Sequence, residues 1–186
     1  MIPWQYTQQW KQLKNSVDTP VSTGEDIYLL DGFKPLIDND AVSIIHPDLA
    51  TSGGILETKR IGDYAQEKGI PMALHQAGSP VVAMANVHCA AATEGFIALE
   101  MHSVDNPWWD DLVNGETDKI INNGFVKVPE SPGLGITLNE DAVEKHLNTN
   151  ASGFAGKGKS MDIYPTGAFE PTDEWDKLDS HDRTWS

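Results

Sequence analysis

The sequence predicts an α/β fold: about four parallel strands with flanking helices, followed by an irregular C-terminal segment. Three observations carry this. Four short segments each carry an apolar run that leads to an ionisable residue: 20–25 (PVSTGE), 41–48 (AVSIIHPD), 69–78 (GIPMALHQAG, with the histidine after the run 70–74) and 95–100 (GFIALE). Those residues, Glu25, Asp48, His75 and Glu100, follow one another at intervals of 23, 27 and 25 residues. Each interval holds a loop, a helix and a return turn, the strand–helix–strand rhythm of a parallel sheet. In α/β barrels the C-terminal ends of the strands form the reactive face.

The elements follow in order. Residues 3–16 read as a helix, with Pro3 suited to the first turn and Tyr6, Trp10 and Leu13 on one face. Residues 18–20 end it, and a strand over 21–23 follows. Residues 26–37 read as a second helix with Leu29, Phe33, Leu36 and Ile37 inward, although Pro35 interrupts its pattern. A strand over 42–45 leads to the tight loop 51–54 (TSGG), in which Ser52 is a candidate N-cap. Residues 55–68 are amphipathic, with Ile61, Tyr64 and Ala65 inward, Lys59, Arg60, Asp63 and Glu67 outward, and Gly69 as C-cap.

After the strand ending at His75, residues 80–93 are apolar on nearly every side, so this helix is expected to be covered on both sides, by another subunit if not by this chain. A strand over 96–99 closes the series. The rhythm then stops, and the chain divides into residues 1–105 and residues 106–186. The second part holds the turn-rich NPWWDD around Trp108 and Trp109 and a hairpin around Asn122, Asn123 and Gly124. A short helix over 140–147 is capped by Asn139, and from Asn148 an extended tail is pinned by Phe154, Tyr164, Phe169, Trp175 and Trp185.

Composition narrows the function classes. The chain has 186 residues, 39% hydrophobic and 22% charged, enough for a sizeable core. A net charge of −15 speaks against nucleic acid as partner. The single cysteine, Cys89, cannot form an internal disulfide, which suits a reducing cytoplasm. No apolar run has the length of a membrane span, and the N-terminus lacks the pattern of a signal peptide.

Each candidate site residue has a bland reading. His75 at a strand end could be structural, Glu25 a solvated turn acid, Asp48 a loop cap and Glu100 a salt-bridge partner. Three acids and an imidazole at one end of one sheet alter that balance, because acids repel one another unless a cation or a reaction requires them. His46 is expected to be structural or to support the site, His88 and Cys89 to lie in the core, and His102 to be a candidate substrate contact.

The series STGED, IIHPDLATSGGILETKRIGDYAQEKGI, MALH, ALE and PGLGITL resembles the C-terminal half of the mandelate racemase/muconate lactonising group of the enolase superfamily. The nearest likeness is to acid-sugar dehydratases of the galactonate-dehydratase type, over residues 2–147. The resemblance implies a modified TIM-type (β/α)₈ barrel, of which this chain would supply strands five to eight, a half barrel. It implies removal of the proton α to a carboxylate, with Mg²⁺ as cofactor and an acid sugar as substrate. Carried over, Glu25 is a metal ligand, Asp48 the acid of a His–Asp dyad, His75 the general base and Glu100 the acid that meets the substrate. Imidazole is the side chain suited to proton transfer at neutral pH, and Mg²⁺ prefers oxygen ligands.

The family's first four strands, capping domain and other metal ligands have no counterpart here. The expectation is therefore a truncated chain, a homo-oligomer, or a half that pairs with a missing N-terminal half. Function follows the same fork: a Mg²⁺-dependent acid-sugar dehydratase that needs its other half, a racemase or epimerase of the superfamily, or a non-catalytic assembly module.

Overall fold

The computed structural model describes residues 2–102, 106–115 and 119–146. Four strands, β1 (Ser22–Thr23), β2 (Ile44–Ile45), β3 (Met72–Leu74) and β4 (Phe96–Leu99), form one parallel sheet in chain order. The register pairs Thr23 with Ile45, Ile45 with Met72, and Leu74 with Leu99. Helices α2 (Leu29–Asp38), α4 (Gly54–Glu67) and α5 (Pro80–Ala91) make the crossovers, and α1 (Thr7–Ser16) precedes β1. Parallel neighbours require such crossovers, which explains the even spacing of the strand ends.

The strands are shorter than the apolar runs suggested, yet the pairing runs on past them. His46 N–H donates to Thr23 O (2.9 Å), His75 N–H to Pro47 O (3.1 Å), Glu100 N–H to Leu74 O (2.9 Å) and His102 N–H to Gln76 O (3.2 Å). Asp48 and His75 form a parallel bridge of their own. This extension of the ladder carries the ionisable residues, so they emerge side by side.

The core lies between the sheet and its helices. Phe33, Leu36 and Ile37 of α2, Ile61 and Ala65 of α4, and Ile45, Met72 and Leu74 of the sheet are buried in one cluster. Each large side chain buried there contributes roughly 1.5–3 kcal/mol. Trp10 of α1 joins the cluster, whereas Tyr6 precedes the helix and is exposed. Leu29, expected inward, is also exposed; it opens α2 with φ +55°, which turns its side chain off the inner face. Pro35 is accommodated within α2.

Ser52 is not an N-cap. It lies in the one-turn helix α3 (Leu49–Ser52), and its hydroxyl pairs with Thr58 Oγ1 at 2.7 Å in a buried position. Gly53, at φ +120°, occupies the cap position of α4 without a side-chain bond. Gly69 follows α4 at φ +73°, as a C-terminal glycine should.

Helix α5 is covered largely from within. Ala83, Met84, Ala85, Asn86, Val87 and Cys89 are buried, and Leu49 and Leu134 pack on Ala85 and Cys89. His88 is only half-buried and donates from Nε2 to Leu134 O (3.3 Å). Strand β4 is an open edge of the sheet, with Ile97 54% exposed above an apolar cleft that includes Phe96, Leu99 and Phe125. Strand β1 is the other edge.

Beyond β4, buried Trp109 donates from Nε1 to Gly78 O (3.1 Å), which ties the NPWW turn to the β3–α5 loop. A 3₁₀ turn (Asp110–Leu112) and β5 (Val113–Asn114) follow. Strands β6 (Ile121–Asn122) and β7 (Phe125–Val126) form an antiparallel hairpin. Asn123 and Gly124 turn it, both at positive φ, the conformation a two-residue hairpin turn demands.

Contacts divide the chain between Thr137 and Leu138, within β8 (Thr137–Leu138). On the C-terminal side, helix α6 (Glu140–Lys145) is capped by Asn139, whose side chain accepts from Ala142 N–H. The expected tail from Asn148, with Phe154, Tyr164, Phe169, Trp175 and Trp185, lies outside the described residues. Among the described residues no helix is long and apolar enough to cross a membrane.

Candidate active site

Strand ends β1 to β4 deliver Glu25, Asp48, His75 and Glu100 in turn, and all three acids converge on the imidazole of His75. Its Nδ1 lies 2.5 Å from Asp48 Oδ2, and its Nε2 lies 3.2 Å from Glu25 Oε2 and 3.8 Å from Glu100 Oε2. The His75 side chain is 14% exposed, and its Nε2 edge is turned to Glu25 and Glu100.

The local causes are legible. Asp48 is the N-cap of α3, and its Oδ1 accepts from Ala50 N–H at 2.7 Å. That bond leaves Oδ2 directed at His75. Gly24 precedes Glu25 at φ +151°, and a Cβ there would stand 2.8 Å from the His46 carbonyl carbon. Only glycine lets β1 approach β2 so closely and turn Glu25 toward the ring.

Two histidines complete the group. His46 Nε2 lies 2.9 Å from Glu100 Oε2, and His102 Nε2 lies 2.7 Å from Glu100 Oε1. Their rings stand 5.6 and 5.8 Å from that of His75. Burial alone would raise the Glu100 carboxyl. The hydrogen bonds from His46 and His102, with the charges of His46 and His75, hold it below the usual carboxylate range instead. Nearby, burial and the Glu25 charge raise the carboxyl of Asp26.

His46 belongs to the site more closely than its sequence position suggested. It is two residues before Asp48, and His102 is two residues after Glu100. Positions i and i+2 share one face of an extended chain, and that spacing was the signal available.

With Asp48 ionised, Nδ1 of His75 is the donor, and Nε2 is the atom left for proton exchange. A bare Nε2 lone pair beside Glu25 and Glu100 would be repelled by both carboxylates. Glu25 and Glu100 thus set two carboxylates beside the atom at which a base takes up a proton.

Residues 1–142 match the family described as enolase C-terminal domain-like. The chain belongs to that family. Within it, the chain is 45% identical over 137 residues to D-xylonate dehydratase of Haloferax volcanii, covering 74% of this chain and 33% of that protein. It is 36% identical over 132 residues to D-gluconate/D-galactonate dehydratase of Picrophilus torridus, covering 71% and 33%. Among solved structures, a mandelate racemase/muconate lactonizing enzyme-like protein of Rubrobacter xylanophilus superposes with a TM-score of 0.75 at 36% identity, covering 77% of this chain and 36% of that one. The chain thus spans about a third of the length of these family members.

Membership points to a divalent metal. Mg²⁺ requires a near-octahedral set of oxygen ligands. Among the described residues, the one set of three possible ligands with atoms within 4.8 Å of one another is His75, Glu100 and His102. Two nitrogens and one carboxylate do not fit Mg²⁺, and Glu25 on its own offers it a single carboxylate. The described residues do not by themselves make a Mg²⁺ site.

Proposed function

We propose that the chain supplies the proton-transfer side of an acid-sugar dehydratase. The observation that carries this is the orientation of His75: Nδ1 is held by Asp48 at 2.5 Å, and Nε2 is turned to Glu25 and Glu100. Nε2 takes the proton from the carbon α to the substrate carboxylate, and the electron pair moves into that carboxylate. The pair then returns to form the Cα–Cβ double bond as the β-hydroxyl leaves, protonated to water. The enol product becomes a keto acid by taking a proton at Cβ and releasing its O–H proton as the C=O bond forms.

The proton for the departing hydroxyl comes from His75 rather than from Glu100. Glu100 lies below the usual carboxylate range and accepts bonds from two imidazoles, so it is an acceptor at neutral pH. Its role is to receive a hydroxyl of the substrate. Positive charge for the developing dianion is not offered by these acids. In this reading it comes with Mg²⁺ and with oxygen ligands outside the described residues.

The open edges at β1 and β4 and the one-third span support a site completed by a further segment, either an N-terminal half or a second copy of this chain. The test is dehydration of D-xylonate, D-gluconate and D-galactonate by this chain, alone and mixed with the N-terminal two-thirds of a relative. Keto-acid production in the mixture, lost with His75→Asn, is expected. Absence of turnover in every mixture overturns the proposal. It would favour the second reading, a non-catalytic assembly module, to which the exposed apolar face of β4 also lends itself.

A further inference from the structure

We propose that His75, Glu100 and His102 form a binding site for a transition-metal dication of the zinc class. The donors are one ring nitrogen each of His75 and His102 and a carboxylate oxygen of Glu100, all within 4.8 Å of one another. Around a tetrahedral Zn²⁺ with bonds of about 2.0–2.2 Å, neighbouring donors stand about 3.4 Å apart. The group closes onto an ion by small rotations of its outer members. Glu100 and His102 are 36% and 57% exposed and have room to make them, whereas His75 is 14% exposed and stays fixed.

The support behind the donors matches a metal centre. A metal-bound histidine characteristically donates its second ring N–H to a carboxylate, which fixes the tautomer and aims the other nitrogen. The Asp48–His75 bond has that form, and it leaves Nε2 as the ligand atom. His46 steadies Glu100 through Oε2. Glu25 Oε2, 3.2 Å from His75 Nε2, adds a second carboxylate beside the ion. Three carboxylates around one imidazole make a field in which a dication is welcome.

Donor chemistry selects the ion. Imidazole nitrogen with one carboxylate suits Zn²⁺, Co²⁺ or Ni²⁺, whereas Mg²⁺ wants oxygen. Three protein ligands also leave a fourth position open to water. Zinc here would occupy the nitrogen to which the dehydratase reading assigns proton abstraction, and so would stop that reaction. That consequence rests on the dehydratase reading; metal binding itself does not.

The test is calorimetric titration of the chelator-treated chain with Zn²⁺ as its chloride, in the absence of substrate. One saturable equivalent is expected, unchanged by excess Mg²⁺. His102→Ala should weaken it by more than ~100-fold, beyond what loss of an outer partner costs, and His75→Asn should remove it. His146→Ala should leave it unchanged. Circular dichroism of each variant checks that the fold is retained. X-ray absorption of the zinc-loaded chain should count two imidazoles, and it reads the site even where a variant fails to fold. Wild-type affinity in His102→Ala, displacement of zinc by Mg²⁺, or a spectrum without two imidazoles would each overturn the proposal. A failed dehydration assay would not touch it, because binding is read without turnover.

Discussion

Asp48 serves His75 and the backbone of α3 with the two oxygens of one carboxylate. Oδ2 lies 2.5 Å from His75 Nδ1, and Oδ1 accepts from Ala50 N–H at 2.7 Å. One carboxylate therefore both caps α3 and holds the His75 ring. The cap orients the carboxylate, and the oriented carboxylate sets the tautomer of the imidazole.

Separating the two roles is feasible. Asp48→Ala loses the cap, about 1 kcal/mol, and a charge-assisted bond of about 1.5–3 kcal/mol. Asp48→Asn retains a capping oxygen. In urea unfolding the alanine variant should show the lower midpoint, with asparagine between it and the wild type. Equal midpoints for all three would mean that neither bond stabilises the fold.

Gly24 is the tightest point beneath the site. Gly24→Ala would set a Cβ 2.8 Å from the His46 backbone at a φ of +151°. Strain of this kind costs about 1–3 kcal/mol. Thermal unfolding should fall by several degrees. A variant as stable as the wild type would show that β1 and β2 can separate freely.

The acid limb of the stability curve should report Glu100. Its folded carboxyl lies below its unfolded value near 4.5, so the folded state releases that proton more readily. The stabilisation is present above about pH 4.5 and is lost as pH falls through the lower folded value. Glu100→Gln should flatten unfolding free energy against pH in that window. A limb of unchanged slope would assign the acid sensitivity elsewhere.

Cys89 should be inert in the native chain. Burial raises its thiol above the ordinary value of 9.0, and the residue is fully covered. Below the unfolded value both states hold the proton. Above it the unfolded chain ionises first, so stability falls as pH rises. Iodoacetamide at neutral pH should label Cys89 only after denaturant is added; rapid labelling of the native chain would contradict its burial.

Sequence patterning by itself determined the parallel α/β sheet, the four ionisable strand ends and most of the helix faces. Apolar period and turn residues are local properties, and Phe33, Leu36, Ile61 and Leu74 lie buried where those properties put them. Local pattern erred where backbone geometry intervened: Leu29 turned out at positive φ, and Ser52 bonded to Thr58 instead of capping α4.

Tertiary structure alone decided which groups meet. The contacts of His75 with Asp48 and of His46 with Glu100 join residues 27 and 54 apart in the chain. Parallel register and the ladder beyond the strands create those contacts, and neither is encoded in a short window of residues. The nitrogen-rich donor set at His75, Glu100 and His102 has the same origin, because it exists only once two neighbouring strand ends lie side by side.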